Sequence, residues 1–406
     1  MSKIVVLGGS GGIGTVAVRA LATVEDFAEI VVADLRAEDA CSVAAALERP
    51  GARGMHVDIR SPESLADAIR GASVVLNCAG PFYELGPLVL AAAIREGVRY
   101  VDVCDDLAPT IKMLEMDESA RAAGVSALIG MGNSPGLANV FVRLCADMLL
   151  DQVETVDIMH VHGGEPEEGP AVVKHRIFAM VNDIPLFLDG KFVNVRQLEE
   201  SGRAFVKDVT FRNLGTYQVY PYPHPETVTL PRFVPGLRRA TNLGVIFPLS
   251  YFHLTQDMAR VGACTEKPLV VQGKEIVPLE FSVAHVLSER KRLLEQAGVT
   301  GPAGCLKVVV SGRKNGETHT FVFSLSSTSA GAGEGTGIPA AVGAILMQRG
   351  AIERKGVFPP EAGVRPIDVL SLSLTVARKL GSLGGDSVHV EHIDPQGKCS
   401  TVPLPF

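Results

Sequence analysis

Residues 3–14 read KIVVLGGSGGIG, a β-branched run that breaks into Gly8, Gly9, Gly11, Gly12 and Gly14. The apolar stretch Val16–Leu21 follows and reads as a helix. A buried strand, a glycine turn and a helix in that order constrain the fold more than anything else in the chain. Gly9, Gly11 and Gly14 fit the spacing G-x-G-x-x-G. The first glycine is expected to permit the tight turn and the second to let a pyrophosphate approach the backbone. The third lets the helix pack on the strand. Unpaired N–H groups at the helix N-terminus then face the phosphates. The predicted fold class is α/β, a doubly wound parallel sheet that binds a dinucleotide through Gly9, Ser10, Gly11, Gly12, Ile13 and Gly14.

The second strand, EIVVADL, ends on Asp34, twenty residues after Gly14. A carboxylate there meets the adenosine ribose hydroxyls and repels a 2′-phosphate, so NAD is favoured. Arg36, two residues on beside Leu35, offers the cation a 2′-phosphate needs, so NADP stays open. A third unit places Asp58 and Ile59 at a strand end beside the adenine, where Asp58 is either an adenine acceptor or a turn residue. Ser61 and Pro62 cap the next helix. The fourth strand, SVVLNCAG, stops at Pro81. Cys78, Ala79, Gly80, Pro81 and Phe82 are expected to line the cofactor, with Cys78 a packed thiol rather than a nucleophile. The fifth strand ends on Asp102, Asp105 and Asp106. Asp106 is a candidate catalytic residue, or else a cap for a helix near Pro109.

Composition narrows the function classes. Net charge is −7, with no Lys/Arg run to track phosphates, which argues against a nucleic-acid partner. No apolar run reaches the ~20 residues a bilayer needs. The first strand begins at Lys3, leaving no room for a signal peptide, and the seven cysteines are odd in number and scattered. A reduced, cytoplasmic protein is expected. His160 and His162 share a strand face near Glu165, but too few ligands accompany them, so no metal is expected.

The glycine run together with NCAG is also similar to short-chain dehydrogenases, which need a Tyr with Lys four residues later. Tyr83, Tyr100, Tyr217, Tyr220, Tyr222 and Tyr251 are followed at that spacing by Pro87, Cys104, Pro221, His224, Glu226 and Thr255. The pair is absent. VLNCAGPFYELGPLVLAAAIREGVRYVDVCDD, GMGNSPGLANV (130–140) and GTGIPAAVGAILMQRG (335–350) resemble instead the saccharopine dehydrogenase family. The resemblance lies in the branch that also holds lysine 6-dehydrogenase and carboxynorspermidine dehydrogenase. The chain departs from the family at Asn133-Ser134, where an acidic residue before Pro-Gly is common. The resemblance implies an NAD(P)-dependent oxidoreductase acting on the C–N bond of an amino acid or amine, through an imine or in the reductive direction. It also implies that the C-terminal helix returns to the first domain.

Three segments follow: a dinucleotide domain over 1–132, an α+β substrate and dimerisation domain over 133–335, and a returning segment over 336–406. Strands over 153–164, a hairpin turning at Asn315-Gly316 and a helix over Pro278–Gln296 mark the second. Its sheet is expected to form the substrate floor and a homodimer interface. GTYQVYPYPHPETVTLPR (215–232) reads as a rigid, strand-poor loop. His224 is the candidate proton-exchanging residue. Tyr217, Glu226 and Arg232 are candidate substrate ligands, with Glu226 for ammonium and Arg232 for carboxylate. Gly331, Gly333 and Gly335 mimic a second nucleotide loop, and Pro339 is expected near the start of the helix that follows.

Overall fold

The computed structural model describes residues 2–327, 332–382 and 388–403. The first domain alternates strands and helices: β1 (Lys3–Leu7), α1 (Gly12–Ala22), β2 (Glu29–Asp34), α2 (Ala37–Ala45), β3 (Ala52–His56), α3 (Pro62–Ile69), β4 (Val74–Asn77), α4 (Phe82–Arg95), β5 (Arg99–Asp102), α5 (Leu107–Leu114), α6 (Asp117–Ala122) and β6 (Ser126–Leu128). Helix α7 (Leu137–Leu144) leads out of it. Strands β1 and β4 are apolar and buried along almost their whole length, as strands covered on both faces must be. Local chemistry sets the helix ends. Ser61 accepts the Ser64 N–H at 3.3 Å with Pro62 in the first turn of α3, and Gly97 follows α4 at φ 68°.

The second domain continues with β7 (Gln152–Gly163), α8 (Pro170–Val181), the hairpin β8 (Ile184–Leu188) and β9 (Lys191–Val195), α9 (Glu200–Arg203), β10 (Lys207–Phe211), β11 (Gly215–Pro221), α10 (Glu226–Phe233), β12 (Arg239–Phe247), α11 (Leu249–Arg260), the small hairpin β13 (Leu269–Val271) and β14 (Lys274–Ile276), α12 (Pro278–Gln296), β15 (Ala303–Lys314) and β16 (Glu317–Ser327). Asn315 and Gly316, at φ 52° and 81°, make the predicted turn between β15 and β16. The chain closes with α13 (Ala332–Gln348), β17 (Gly356–Phe358), α14 (Pro360–Gly363), α15 (Pro366–Leu380), β18 (Val388–Ile393) and β19 (Cys399–Thr401).

The first sheet is parallel throughout, in the order β17-β6-β5-β4-β1-β2-β3. Direction of winding reverses between β1 and β4, which opens a crevice at their C-terminal ends. The second sheet is mixed and runs β10-β11-β12-β7-β15-β16-β18-β19, with β8 and β9 at its side. Helix α13 packs on α1. Gly333 and Gly335 lie inside α13 and form no nucleotide loop; a Cβ on Gly333 would lie 3.2 Å from the Gly12 oxygen and one on Gly337 2.8 Å from the Ile13 carbonyl oxygen, so small residues allow α13 to approach α1. Gly331 lies outside the described residues.

Three expectations are corrected. The segment 215–232 is not a strand-poor loop: β11 pairs with β10 and β12, and α10 begins at Glu226. Pro339 lies inside α13. The C-terminal return is divided. α13 packs against the first domain and β17 joins its sheet, but β18 and β19 extend the second sheet beside β16. Alternation in VHVEHI suits a strand with one face turned to the protein and one to solvent. Among the described residues no helix is long and apolar enough to cross a membrane.

Candidate active site

The crevice is built first by backbone. Gly8 turns the chain at φ 69°, and a Cβ on it would lie 2.8 Å from the backbone of Ala79. The turn that was expected at Gly9 is therefore made by Gly8. Gly9 is excluded from a side chain by β2, since its Cβ would lie 2.8 Å from Val32 Cγ1. Gly14 holds α1 against the turn, because a Cβ there would come within 2.0 Å of the Gly8 oxygen. Gly11, the N-cap of α1, faces only the Gly8 oxygen at 3.4 Å, and Gly12 has nothing within 4 Å. No side chain caps α1. An uncapped helix N-terminus beside empty space fits a pyrophosphate. Asp34, at the end of β2, accepts the N–H of Ser10 at 3.3 Å and of Arg36 at 3.2 Å. Leu35 and Arg36 are exposed beside it, and the Arg36 side chain turns to Asp39 at 3.0 Å. Asp58 is a turn residue: its carboxylate accepts the Arg60 N–H at 2.9 Å, while the half-buried Ile59 packs on the core.

Strand β4 ends on Asn77 because a buried chain of hydrogen bonds starts there. Asn77 Oδ1 accepts the Ala79 N–H at 3.0 Å and its amide donates to the Tyr100 hydroxyl at 3.2 Å. Tyr100 donates to Asp102 Oδ2 at 2.9 Å, and Asp102 Oδ1 accepts the N–H groups of Cys104 and Gly130 at 3.0 and 2.6 Å. Burial pushes the Asp102 carboxyl up to about 6 against the pull of these N–H groups. The chain fixes the loop 78–82 across three strands. Burial, then the charge of Asp102, pushes the Cys78 thiol up to about 12, which leaves it without nucleophilic thiolate.

That loop opens into a cavity of about 1050 Å³ between the domains. Cys78, Gly80, Pro81 and Phe82 line one wall; His160, His162, His175, Arg176, Tyr222 and His224 line the other. Two histidine–carboxylate pairs face it. His175 Nδ1 lies 2.8 Å from Asp106 Oδ1, and His224 Nδ1 lies 3.2 Å from Glu226 Oε2. Burial opposes protonation of both imidazoles, but the adjacent carboxylates outweigh it and hold both above the ordinary histidine range. Tyr222 stands between them, its ring 5.4 Å from His224 and 6.1 Å from His175. His160, 5.4 Å from both Tyr222 and His224, is pushed well below its usual range by burial and then by the neighbouring histidines.

Arg176 supplies the cation. It is buried, pairs with Glu168 and lies 5.2 Å over the Tyr251 ring. Its Nη1 is buried with no hydrogen-bond partner among the described residues. A guanidinium nitrogen left open at a cavity wall suits a ligand carboxylate.

The predicted residues divide accordingly. His224 and Asp106 reach the cavity; Asp106 sits at the N-cap of α5, which starts at Leu107, but its side chain goes to His175 instead of the helix. Glu226 is fully buried and receives the Ser134 hydroxyl as well as His224, so it orients the imidazole rather than meeting an ammonium group. Arg232 is exposed on α10, its guanidinium 5.8 Å from the Phe233 ring, and does not reach the cavity. Tyr217 packs against Phe211 and Phe247 in the second core. Sequence reasoning missed Arg176, His175, Tyr222 and the Asn77–Tyr100–Asp102 chain. Tyr222 was open to it, standing two residues before His224 in the same segment. Nothing local marks His175 or Arg176 within α8.

A dinucleotide crevice that opens onto a histidine-lined cavity in a second domain defines a two-domain, nicotinamide-dependent dehydrogenase. Residues 4–128 match the model of the saccharopine dehydrogenase NADP binding domain, and the resemblance to the saccharopine dehydrogenases read in the sequence holds. The fold of the whole chain is similar to that of saccharopine dehydrogenase (L-Glu forming) from Saccharomyces cerevisiae. The TM-score is 0.67 at 15% identity, over 99% of this chain and all of that one. Among curated relatives, carboxyaminopropylagmatine dehydrogenase of Synechocystis sp. is 25% identical over 391 residues, 89% of this chain and 92% of that one. Carboxynorspermidine synthase of Vibrio alginolyticus is 24% identical over 315 residues, 71% of this chain and 72% of that one.

Proposed function

We propose that this chain is an NAD(P)-dependent oxidoreductase of carbon–nitrogen bonds whose amine or amino-acid substrate carries a carboxylate. The observation that carries the reading is that the switch-point loop 78–82 and the imidazole of His224 line one cavity. Loop 78–82 would hold the nicotinamide, which would supply hydride chemistry at C4. The chain's own residues do the rest. Pro81 and Phe82 form an apolar wall that orients the reacting carbon and excludes water. His224, held by Glu226, takes the proton from the amine nitrogen as an imine forms, and returns it in reductive amination. Arg176 anchors the carboxylate. The relatives' names support the substrate class, since both describe carboxylated amines.

The cofactor is NAD in this reading. The matched family model is named for NADP, but Asp34 ends β2 with its carboxylate on the Ser10 N–H, where it would meet a ribose and repel a 2′-phosphate, and Arg36 is engaged by Asp39. The protein works as a cytoplasmic homodimer. Seven free thiols and the exposed Leu269, Val270 and Val271 of the β13–β14 hairpin support this, and light scattering of the purified protein checks the oligomer. The functional test is a titration with NADH and NADPH followed by a screen of amines paired with carbonyl acids. Consumption of reduced cofactor that requires both partners is expected. Turnover of ketones alone defines a carbonyl reductase, and binding without turnover defines a sensor; either contradicts the proposal.

A further inference from the structure

Behind His224 the loop 132–136 ties down two carboxylates at once. The Ser134 hydroxyl donates to Glu226 Oε1. Asn139, in the first turn of α7, accepts the Gly136 N–H at 2.9 Å and donates its amide to Glu361 Oε2 at 2.8 Å. Glu226 and Glu361 are both fully buried. Thr229, one turn along α10 from Glu226, and Glu361 each present a buried oxygen, Oγ1 and Oε1, with no other partner among the described residues. Neither carboxylate has an arginine or lysine partner among those residues. Arg143 of α7 and Arg354 before β17 donate instead to the main-chain carbonyls of Glu361 and Ala362, at 3.2 and 3.1 Å.

Two interacting buried carboxylates, of which only Glu226 has an imidazole beside it, are costly to ionise together. One arrangement of protons satisfies the group. Below about pH 7 Glu361 is protonated, with Oε1 on the Thr229 side and Oε2 accepting from Asn139. Glu226 is then left as the carboxylate that pairs with His224. Of two interacting carboxylates, one is raised and the other remains ionised.

We propose that Glu361 is a positioning residue of the site: as a neutral acid it completes, with Asn139, Thr229 and Ser134, a buried frame that keeps Glu226 the sole anion and so sets the charge and orientation of His224. This rests on the reading of His224 as the proton-exchanging group. Burial pushes the Glu361 carboxyl up to about 7; the Thr229 and Asn139 hydrogen bonds pull the other way and the charge of Glu226 adds to the rise.

The test is an NMR titration of the full chain with labelled glutamate side-chain carboxyls and histidine rings. The wild type is compared with Glu361→Gln, and His224→Asn assigns the His224 ring. The carboxyl signal lost in Glu361→Gln is expected to titrate near pH 7 in the wild type. The His224 ring signals are expected to show an inflection at the same pH that the variant lacks. Glu226→Gln moves the Glu361 inflection down, which keeps the proposal testable should Glu361→Gln not fold. An assigned Glu361 carboxyl titrating near the ordinary ~4.3 overturns the proposal. So does a His224 ring indifferent to Glu361. These spectra need no substrate. If turnover proves independent of His224, the functional reading fails while the link between Glu361 and His224 is judged separately.

Discussion

The two walls of the cavity are made differently. The cofactor wall is backbone: a turn at Gly8, an uncapped helix at Gly11 and a loop at 78–82, all in the first domain. The facing wall, the proposed substrate side, is side chains drawn from β7, α8 and the turn between β11 and α10, braced from behind by α7 and α14. A backbone site needs room, and room is written as glycines at fixed spacing. A side-chain site needs convergence, which depends on which residue of each element happens to point inward. The first wall should therefore fail when volume is added, and the second when charge or hydrogen bonding is changed.

The largest expected effect lies on the cofactor wall. Gly11→Val places a side chain where only the Gly8 oxygen stands at 3.4 Å, so the protein folds but the pyrophosphate is displaced. Loss of NAD(H) affinity by at least about a hundredfold, roughly 2.8 kcal/mol, is expected by fluorescence titration, with an unchanged circular dichroism spectrum. Unchanged affinity would take the glycine turn out of the site. On the other wall, His224→Asn should lower kcat by on the order of a hundredfold while cofactor binding stays intact. A parallel loss of cofactor affinity would show that the two walls are not separable.

Next in size is a pH effect. Glu361 is raised from 4.5 to about 7 in the folded chain. The native state then binds more protons than the unfolded state across that interval, and stability falls as pH rises through it. Glu361→Gln, which keeps the shape of the protonated acid, removes that fall. Denaturant melts should show the variant close to wild type at about pH 5 and more stable at about pH 8 by on the order of 1–3 kcal/mol. Equal stability at both would mean that Glu361 is ionised when buried. The smallest effect is at Arg232, exposed on the outer side of α10. Arg232→Ala should change stability by less than about 0.5 kcal/mol and leave substrate KM unaltered. A raised KM would bring this residue back to the substrate.

The same contrast explains what the sequence disclosed. Gly11, Gly14 and Asp34 lie within one β-α-β unit, so their spacing alone placed them beside the crevice between β1 and β4. The Asn315-Gly316 turn and the helix at Pro278 were legible because turn chemistry and helix starts are local. Assigning Gly9 to the tight turn instead of Gly8 was an error of one residue, settled only by the contact of Gly8 with Ala79. On the facing wall the segment 215–232 was found, but its geometry was not. Reading it as a loop made Tyr217 and Arg232 free to reach a ligand. As a strand followed by a helix, it packs the half-buried Tyr217 against a core and turns Arg232 outward, leaving Tyr222 and His224 at the junction. Arg176 and Glu361 were beyond reach because each takes its meaning from residues far along the chain, Tyr251 and Asn139 among them.

The central claim is hydride transfer at a carbon bound to nitrogen, and isotope placement tests it most directly. The wild-type chain is incubated with C4-deuterated reduced nicotinamide dinucleotide, an amine and a carbonyl acid, and the product is read by mass spectrometry and NMR. One deuterium on the carbon of a newly formed C–N bond is the predicted result. Deuterium on an alcohol carbon, or a cofactor that binds and is never consumed across the amine set, would contradict it.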